Sequence, residues 1–308
     1  MSIDLKRFEV RSDMVVEDVN NQNTIKKNIY NHTSVSKIIL ETPNYGKKEG
    51  IYYTIETKAL DNHDHDELKE LQKVISDTLI DLFKYKNIDI SKKALIIGLG
   101  NPNITPDALG PVVVDNVLVT RHIFLLEEKL SEGIRNVSML KPGVMGQTGI
   151  ETFDIIMGVI NKTKPDFLIV IDALASKSID RLCKSIQITD AGINPGSGVG
   201  NNRKELSYAT TNIPVIAIGV PMVLDAITVA NDLLLKLENS LEEKISKENI
   251  FGELSKLNDI DRKKLLYEIL HDNHNLFLCP KDIDSYLENL KQVLSNAINT
   301  SLHPIYLK

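Results

Sequence analysis

The sequence predicts an α/β fold in which a mixed, mostly parallel sheet is covered by helices on both faces. Apolar runs typical of buried strands occur at residues 94–100 and 167–171, and a stretch with helical periodicity, residues 66–85, precedes the first run. Strands that alternate with helices favour a sheet shielded from solvent on both sides. With 308 residues, of which 42% are hydrophobic, the chain can bury a large core in one domain or two.

The first third of the chain changes from a polar arm to regular elements. Residues 1–35 are polar and rich in asparagine, so we predict a mobile arm there. Residues 36–57 contain two runs of strand composition separated by Pro43 and Gly46, which predicts a hairpin or two short strands. Apolar residues recur at helical intervals across residues 66–85, so we predict a helix that leads into the first buried strand.

The remaining elements alternate in the same manner. Thr148 and Glu151 have the spacing of a capping box, which predicts a helix that begins there and extends to Val159. The other predictions are a helix or strand at 110–119, strands at 137–140, 167–171, 185–189 and 214–218, and a helix at 223–238. From about 239 to 308 the chain is charged and mostly helical, with a last helix that begins near Pro280.

Composition and charge exclude several classes of function. The formal net charge of −6 and the pI near 5.7 leave no concentrated basic face, so we expect no direct nucleic-acid partner. Two cysteines without ligand spacing support neither a disulfide scaffold nor a zinc site. The N-terminus lacks a secretory signal, and no apolar run approaches the roughly 20 residues needed to cross a bilayer. We therefore predict a cytoplasmic protein without a membrane partner.

Two acids that follow predicted strands are the first candidates for chemistry. Asp107 comes after the strand at 94–100, and Asp172 directly follows the strand at 167–171. In an open α/β sheet, sites form in the crevice outside the carboxyl ends of the strands, where these two acids would face each other. Acid/base chemistry is one interpretation, and an ordinary turn or helix cap at a strand end is the other.

Glycine-rich segments and histidines give weaker signals. Residues 98–103 lack the third glycine of a dinucleotide-binding fingerprint. Residues 192–200 could bind an anion or a peptide carbonyl through backbone N–H groups, or form only a flexible turn. His63 and His65 lie in a polar loop, so neither predicts a metal site, and His122, downstream of Asp107, is the better candidate for a histidine near the site, on the weak evidence of a single residue. No recognisable Ser or Cys nucleophile is present.

Four long motifs closely resemble the germination protease of spore-forming Firmicutes. They are residues 98–111, 142–149, 172–176 and 194–201, and the likeness covers nearly the whole chain. The resemblance implies an endopeptidase that degrades small acid-soluble spore proteins during germination, located in the forespore or spore core and assembled as a homotetramer. It also implies a fold distantly similar to that of the hydrogenase maturation endopeptidases, with Asp107 and Asp172 as the catalytic acids.

The resemblance and the strand-end positions together predict an aspartic-type mechanism. One ionised carboxylate takes a proton from the attacking water while the other, protonated, donates to the substrate, and the sequence does not assign the two roles. We predict no metal and no cofactor. Gly196 and Gly198 are expected to line the substrate cleft, where backbone approaches backbone, with Arg203 beside them as a candidate binding residue.

The N-terminus looks like the cleavage site of the family's substrates. Ser12-Asp13-Met14-Val15-Val16-Glu17 is similar to the Thr-Glu-Phe/Ile-Ala-Ser-Glu site of the spore proteins. We predict that residues 1–13 are a propeptide, removed by the enzyme itself between Asp13 and Met14, and that residues 14–308 form a single α/β peptidase domain. Met14 would fill an apolar pocket, and Arg203 or Lys204 would bind Asp13. The alternative is trimming by any protease, or none, because exposed termini are generally nicked.

Two other classes of function remain open from the residues alone. One is a non-catalytic protein that holds an extended peptide with its glycine-rich loop. The other is a hydrolase of another amide or ester on a similar α/β core, such as a peptidyl-tRNA hydrolase, which would need a basic groove. Cleavage of a spore protein by the purified chain distinguishes these alternatives from the peptidase.

Overall fold

The computed structural model describes residues 13–17, 24–43, 47–62, 64–126, 132–196, 203–241, 257–258, 261–262, 265–266 and 276–307. The strands in these residues are β1 Thr24–Ile29, β2 Thr33–Leu40, β3 Gly50–Thr57, β4 Ala94–Gly98, β5 Val137–Leu140, β6 Phe167–Ser176, β7 Ser185–Thr189, β8 Val215–Asp225 and β9 Phe277–Leu278. The helices are α1 Ala59–Asn62, α2 His65–Tyr85, α3 Leu109–Val114, α4 Arg121–Leu126, α5 Met145–Thr148, α6 Thr152–Thr163, α7 Tyr208–Thr211, α8 Ala226–Leu241 and α9 Ile283–Leu302.

One sheet combines a parallel half with an antiparallel extension. Its strand order is β1-β2-β3-β7-β8-β6-β4-β5, and β9 pairs with β8. Strands β8, β6, β4 and β5 run parallel to one another, whereas the other pairings are antiparallel. The predicted α/β class with a mixed sheet is confirmed. Parallel pairing is confined to four strands, because the N-terminal strands extend the sheet through β7.

Helices cover both faces of the parallel half. On one face, α2, α3 and α9 pack against a core that includes Ile96 and Ile169. On the other face, Ile156 and Ile160 of α6 pack against apolar residues such as Val170. Successive residues of a strand point to opposite faces, so these two clusters fix the side to which each strand residue is directed.

The polar arm predicted for residues 1–35 is wrong in two places. Residues 24–29 form β1, and residues 13–17 pack against the sheet, with Met14 and Val15 fully buried. Among the described strands β1 lies at the edge of the sheet, and its residues are mostly polar. It therefore lacks the apolar alternation that predicts a strand. Residues 1–12 lie outside the described part of the chain.

Two predicted helix starts are also wrong. Gly149 has a φ of 69°, a left-handed conformation that ends α5, so Thr148 and Glu151 do not share one helix terminus. Glu151 precedes α6 as its N-cap residue without a side-chain capping bond. The helix predicted from residue 223 begins at Ala226, because β8 continues to Asp225. In contrast, the helix predicted at residues 66–85 is present as α2, and the Asp64 side chain caps it.

The region 239–308 is described only in part. Residues 242–256 and several later stretches lie outside the described residues, and the last 32 positions that are described contain β9 and the long helix α9. No helix in the described ranges is long and apolar enough to cross a membrane.

Candidate active site

A short turn beside the end of β4 presents Asp107. The strand ends at Gly98, and a 3-10 turn, Thr105–Asp107, leads into α3. The backbone N–H of Asn101 donates to Asp107 Oδ2 at 2.9 Å and also to the Asp107 carbonyl oxygen at 3.1 Å. These bonds fold the loop after β4 around the acid and hold its carboxylate, which is only partly buried.

Close backbone contacts at two glycines hold this turn against the strands. A Cβ atom on Gly110 would lie 2.3 Å from the carbonyl oxygen of Leu99 and 2.5 Å from that of Ile171. A Cβ atom on Gly100, whose φ is +112°, would lie 2.0 Å from the carbonyl oxygen of Asp107. No side chain fits at either position, so close packing of backbone explains these glycines.

Asp172 lies within β6 and not after it. The placement at a strand end predicted from sequence is wrong, because β6 continues to Ser176 through its pairing with β8. Its neighbour on the other side, β4, ends at Gly98, level with Ile171. A crevice therefore opens beside β6 from Asp172 onward. Asp172 is 5% exposed, and its Oδ1 accepts the N–H of Ala173 at 2.9 Å.

Asp107 and Asp172 line one cavity of about 330 Å³. Other residues in its wall are Asp13, Leu99, Gly100, Val144, Ala175, Gly196, Arg203, Val223 and Cys279. The structure thus brings together the two acids, Gly196, Arg203 and the first residue of the described N-terminal segment. Gly198 lies outside the described residues. Lys204 is directed to Asp154, with an N–O distance of 3.5 Å.

The two carboxyl groups have raised pKa values. Burial raises the pKa of Asp172 well above its usual value, and the negative charges of Asp107 and Asp13 raise it further. Burial also raises the pKa of Asp107, while the N–H of Asn101 and the charge of Arg203 lower it. The site therefore combines a deeply buried acid, whose pKa is raised more strongly, with a more accessible carboxyl group.

The other residues considered from sequence lie elsewhere. His65 and His122 are exposed on α2 and α4, and His63 is outside the described residues. Within the described ranges, no group of three or more His, Cys, Asp or Glu side chains could hold a metal ion. Cys183 is buried, and burial raises the pKa of its thiol to about 12.

Sequence reasoning missed several residues of this region. Cys279, beside β9, is exposed and reaches the cavity wall because β9 pairs with the end of β8. Gln187, Ser176 and Arg181 contact residues 13–17. The one available signal was Gln187, a large polar side chain between two isoleucines in a buried strand.

Comparison with known proteins gives one consistent family. The sequence profile of the germination protease family matches residues 4–237 and 234–306. The chain is 40% identical to the germination protease of Bacillus mycoides (strain KBAB4), over 98% of this chain and 95% of the relative. The germination proteases of Bacillus cereus (strain AH187) and Bacillus cytotoxicus are also 40% identical, with the same coverage.

Proposed function

Because the chain belongs to the germination protease family, we propose that it degrades small acid-soluble spore proteins during spore germination. The family indicates a peptidase active in germinating spores, and the substrate class follows the resemblance of the four sequence motifs. The observation that carries the proposal is the pair of carboxyl groups, Asp107 and Asp172, in the wall of one cavity. The cavity is of a size that admits part of a peptide.

The proposed mechanism is of the aspartic type and assigns a role to each acid. Asp107, the more accessible carboxylate, removes a proton from a water molecule as the water oxygen bonds to the scissile carbonyl carbon. Asp172, whose pKa burial raises, gives its proton to the departing amide nitrogen as the C–N bond breaks. The products are a new carboxyl group and a new amine, and one proton passes back from Asp107 to Asp172 to complete the cycle.

Two further residues support substrate binding in this proposal. Gly196 lines the cavity with a φ of +72°, so its backbone is exposed to a peptide without an intervening side chain. Arg203 lines the same cavity, and its charge acts on both aspartates. A guanidinium there can bind an acidic residue of the substrate or the carboxylate that cleavage produces.

The test is incubation of the purified chain with a small acid-soluble spore protein, followed by mass spectrometry of the products. We expect cleavage after an acidic residue that precedes an apolar one. Binding of the spore protein without cleavage would instead favour the non-catalytic alternative. Hydrolysis of an ester or of peptidyl-tRNA without peptide cleavage would favour the other hydrolase class.

We also propose that the chain is made as a zymogen and removes residues 1–13 itself. Asp13 lies in the cavity wall with the two acids, which is where a self-processing bond has to be. N-terminal sequencing of the matured protein tests the site, and we expect Met14 as the first residue. Normal maturation of an Asp107→Asn variant expressed alone would contradict self-processing.

The assembly and location follow the family resemblance. We propose a homotetramer in the forespore or spore core, in the cytoplasmic compartment. Light scattering of the purified protein should give four times the chain mass of 34.5 kDa. A monomer at micromolar concentration would contradict this part of the proposal and leave the peptidase assignment untouched.

A further inference from the structure

Residues 13–17, the docking segment, bind across the sheet beside the candidate catalytic acids. The backbone N–H of Asp13 donates to the Ala175 carbonyl oxygen at 3.0 Å, and the N–H of Ala175 donates to Asp13 Oδ2 at 2.9 Å. Met14 is 0% exposed, and Val15 packs with Ile38, Leu40 and Tyr52 in a small apolar cluster. The segment therefore lies in an apolar groove and is not a loose tail.

Gln187 contacts the backbone on both sides of Met14. Its Nε2 donates to the carbonyl oxygen of Asp13 at 3.0 Å, and its Oε1 accepts the N–H of Val15 at 2.7 Å. An amide side chain that uses its donor and its acceptor in this way binds an extended backbone as a neighbouring strand does. This contact is independent of the side chain of the residue it encloses.

Gln187 and Asp172 lie on the same face of the sheet, with Gly219 between them. Asp172 is paired with Gly219 on β8, and Gly219 is paired with Gln187 on β7. Ile186 and Ile188 face the core under α2 and α9, so Gln187 points to the opposite face, as Asp172 does from its position two residues after Val170. Two strand spacings, roughly 10 Å, separate their backbones, and the side chain of Leu174 lies over Gly219 between them.

Glu17 is held by a second set of groups. Ser176 Oγ donates to Glu17 Oε1 at 2.6 Å, and the backbone N–H of Lys177 donates to Oε2 at 2.8 Å. The guanidinium of Arg181 lies 3.6 Å from Oε1, and the Glu17 side chain is 3% exposed. A buried carboxylate with two hydrogen bonds and a cation beside it occupies a site built for a negative charge.

We infer that Gln187, Ser176 and Arg181 form the substrate subsites on the carboxyl side of the cleaved bond, with the docking segment bound there as an internal substrate. The inference rests on the proposed peptidase function of this cavity. If the bond between Asp13 and Met14 is the one cleaved, Gln187 Nε2 donates to the carbonyl oxygen that becomes negative as water adds. Gln187 then stabilises that charge, and Arg181 with Ser176 selects glutamate as the fourth residue after the bond.

The selectivity is tested with two synthetic peptides and the full chain. One peptide has the sequence of residues 9–21, and the other has Gln in place of the glutamate at position 17. We expect the wild-type protein to prefer the glutamate peptide by about tenfold in kcat/KM, the effect of a hydrogen-bonded charge. Arg181→Gln should remove most of that preference. Lys184→Gln, which removes a nearby cation paired with Asp61, should retain it.

The preference is the ratio of two kcat/KM values measured with one protein, so a partial loss of folded protein in a variant lowers both values equally and leaves the ratio unchanged. This matters because Arg181 also pairs with Glu56 at 3.0 Å. An equal preference in the wild-type and Arg181→Gln proteins would overturn the glutamate subsite. If the wild-type protein cleaves neither the peptides nor a spore protein, the proposed function fails instead.

The proposed role of Gln187 is tested by measuring kcat for two variants. Gln187→Leu removes the donor at similar volume and should lower kcat by roughly 10²–10³-fold, as expected for loss of one oxyanion donor. Gln187→Glu can donate only when protonated, so its activity relative to the wild-type protein should recover as the pH falls. A kcat of Gln187→Leu within twofold of the wild-type value, with a folded circular dichroism spectrum, would overturn this role.

Discussion

Asp172 is almost completely buried, whereas Asp107, which lines the same cavity, is only partly buried. This asymmetry separates two chemically identical groups. Burial penalises the charged form, so the more buried carboxyl group keeps its proton to higher pH and can serve as the acid, whereas the less buried one ionises first and can serve as the base. Neutralising Asp107 should therefore remove the base, and neutralising Asp172 should remove the acid.

Removing either carboxylate should abolish most of the activity. We expect Asp107→Asn and Asp172→Asn each to lower kcat by about 10²–10⁴-fold, the usual effect of losing a general acid or base. Cleavage of a spore protein, followed by mass spectrometry, measures the rates. Asp115→Asn, a control that removes an exposed acid paired with Lys141, should have near wild-type activity. Near wild-type rates in both active-site variants would rule out the pair.

Asp172→Asn should stabilise the protein at neutral pH more than at acidic pH. The pKa of Asp172 is raised in the folded protein. The stability that comes from its neutral form is therefore fully present at pH values below the pKa of the unfolded chain, about 3.9. That contribution is lost as the pH rises through the folded pKa, and asparagine has no such loss. Thermal melting at pH 4 and pH 8 gives the comparison. A difference in Tm that is the same at both pH values would contradict the expected shift.

Gly110→Ala should destabilise the protein strongly and reduce its activity. The added Cβ would lie 2.3 Å from one backbone oxygen and 2.5 Å from another, and neither can move without shifting β4 or β6. Overpacking of this kind costs about 1–3 kcal/mol or more. Gly158→Ala is the matched control, because nothing lies within 4 Å of its Cβ on helix α6. Urea unfolding should show loss in the first variant and none in the second.

Cys279 should react with thiol reagents while Cys183 does not. Cys279 is exposed and lines the cavity, whereas Cys183 is fully buried with its pKa raised to about 12. We expect one fast thiol per native chain, and a bulky maleimide on it should block peptide cleavage. Cys279→Ser should be active and resistant to the reagent. Full activity of the labelled wild-type protein would place the peptide path away from β9.

The parallel half of the sheet could be predicted from sequence because its strands are buried on both faces. Residues 94–98 and 167–171 are continuous apolar runs, and this is the pattern that such burial requires. The polar edge strand β1 has no such pattern. The two acids were found because each follows an apolar run, although Asp172 proved to lie inside a longer strand.

The contacts of residues 13–17 could not be predicted. They join a segment near the N-terminus to residues 175–187, and no local periodicity records a partner so distant in sequence. Polar composition around the segment suggested a mobile arm, yet Met14 and Val15 are buried because the groove supplies apolar neighbours. Tertiary contacts override local composition here.

The covalent attachment of the docking segment to its own cleft sets a threshold for every other peptide. A tethered ligand is present at its site at an effective concentration on the order of millimolar when the connection is short and flexible. An external peptide of equal intrinsic affinity has to reach that concentration to occupy the groove half of the time. We therefore expect the protein to act on abundant substrates and to spare scarce proteins that carry a similar sequence.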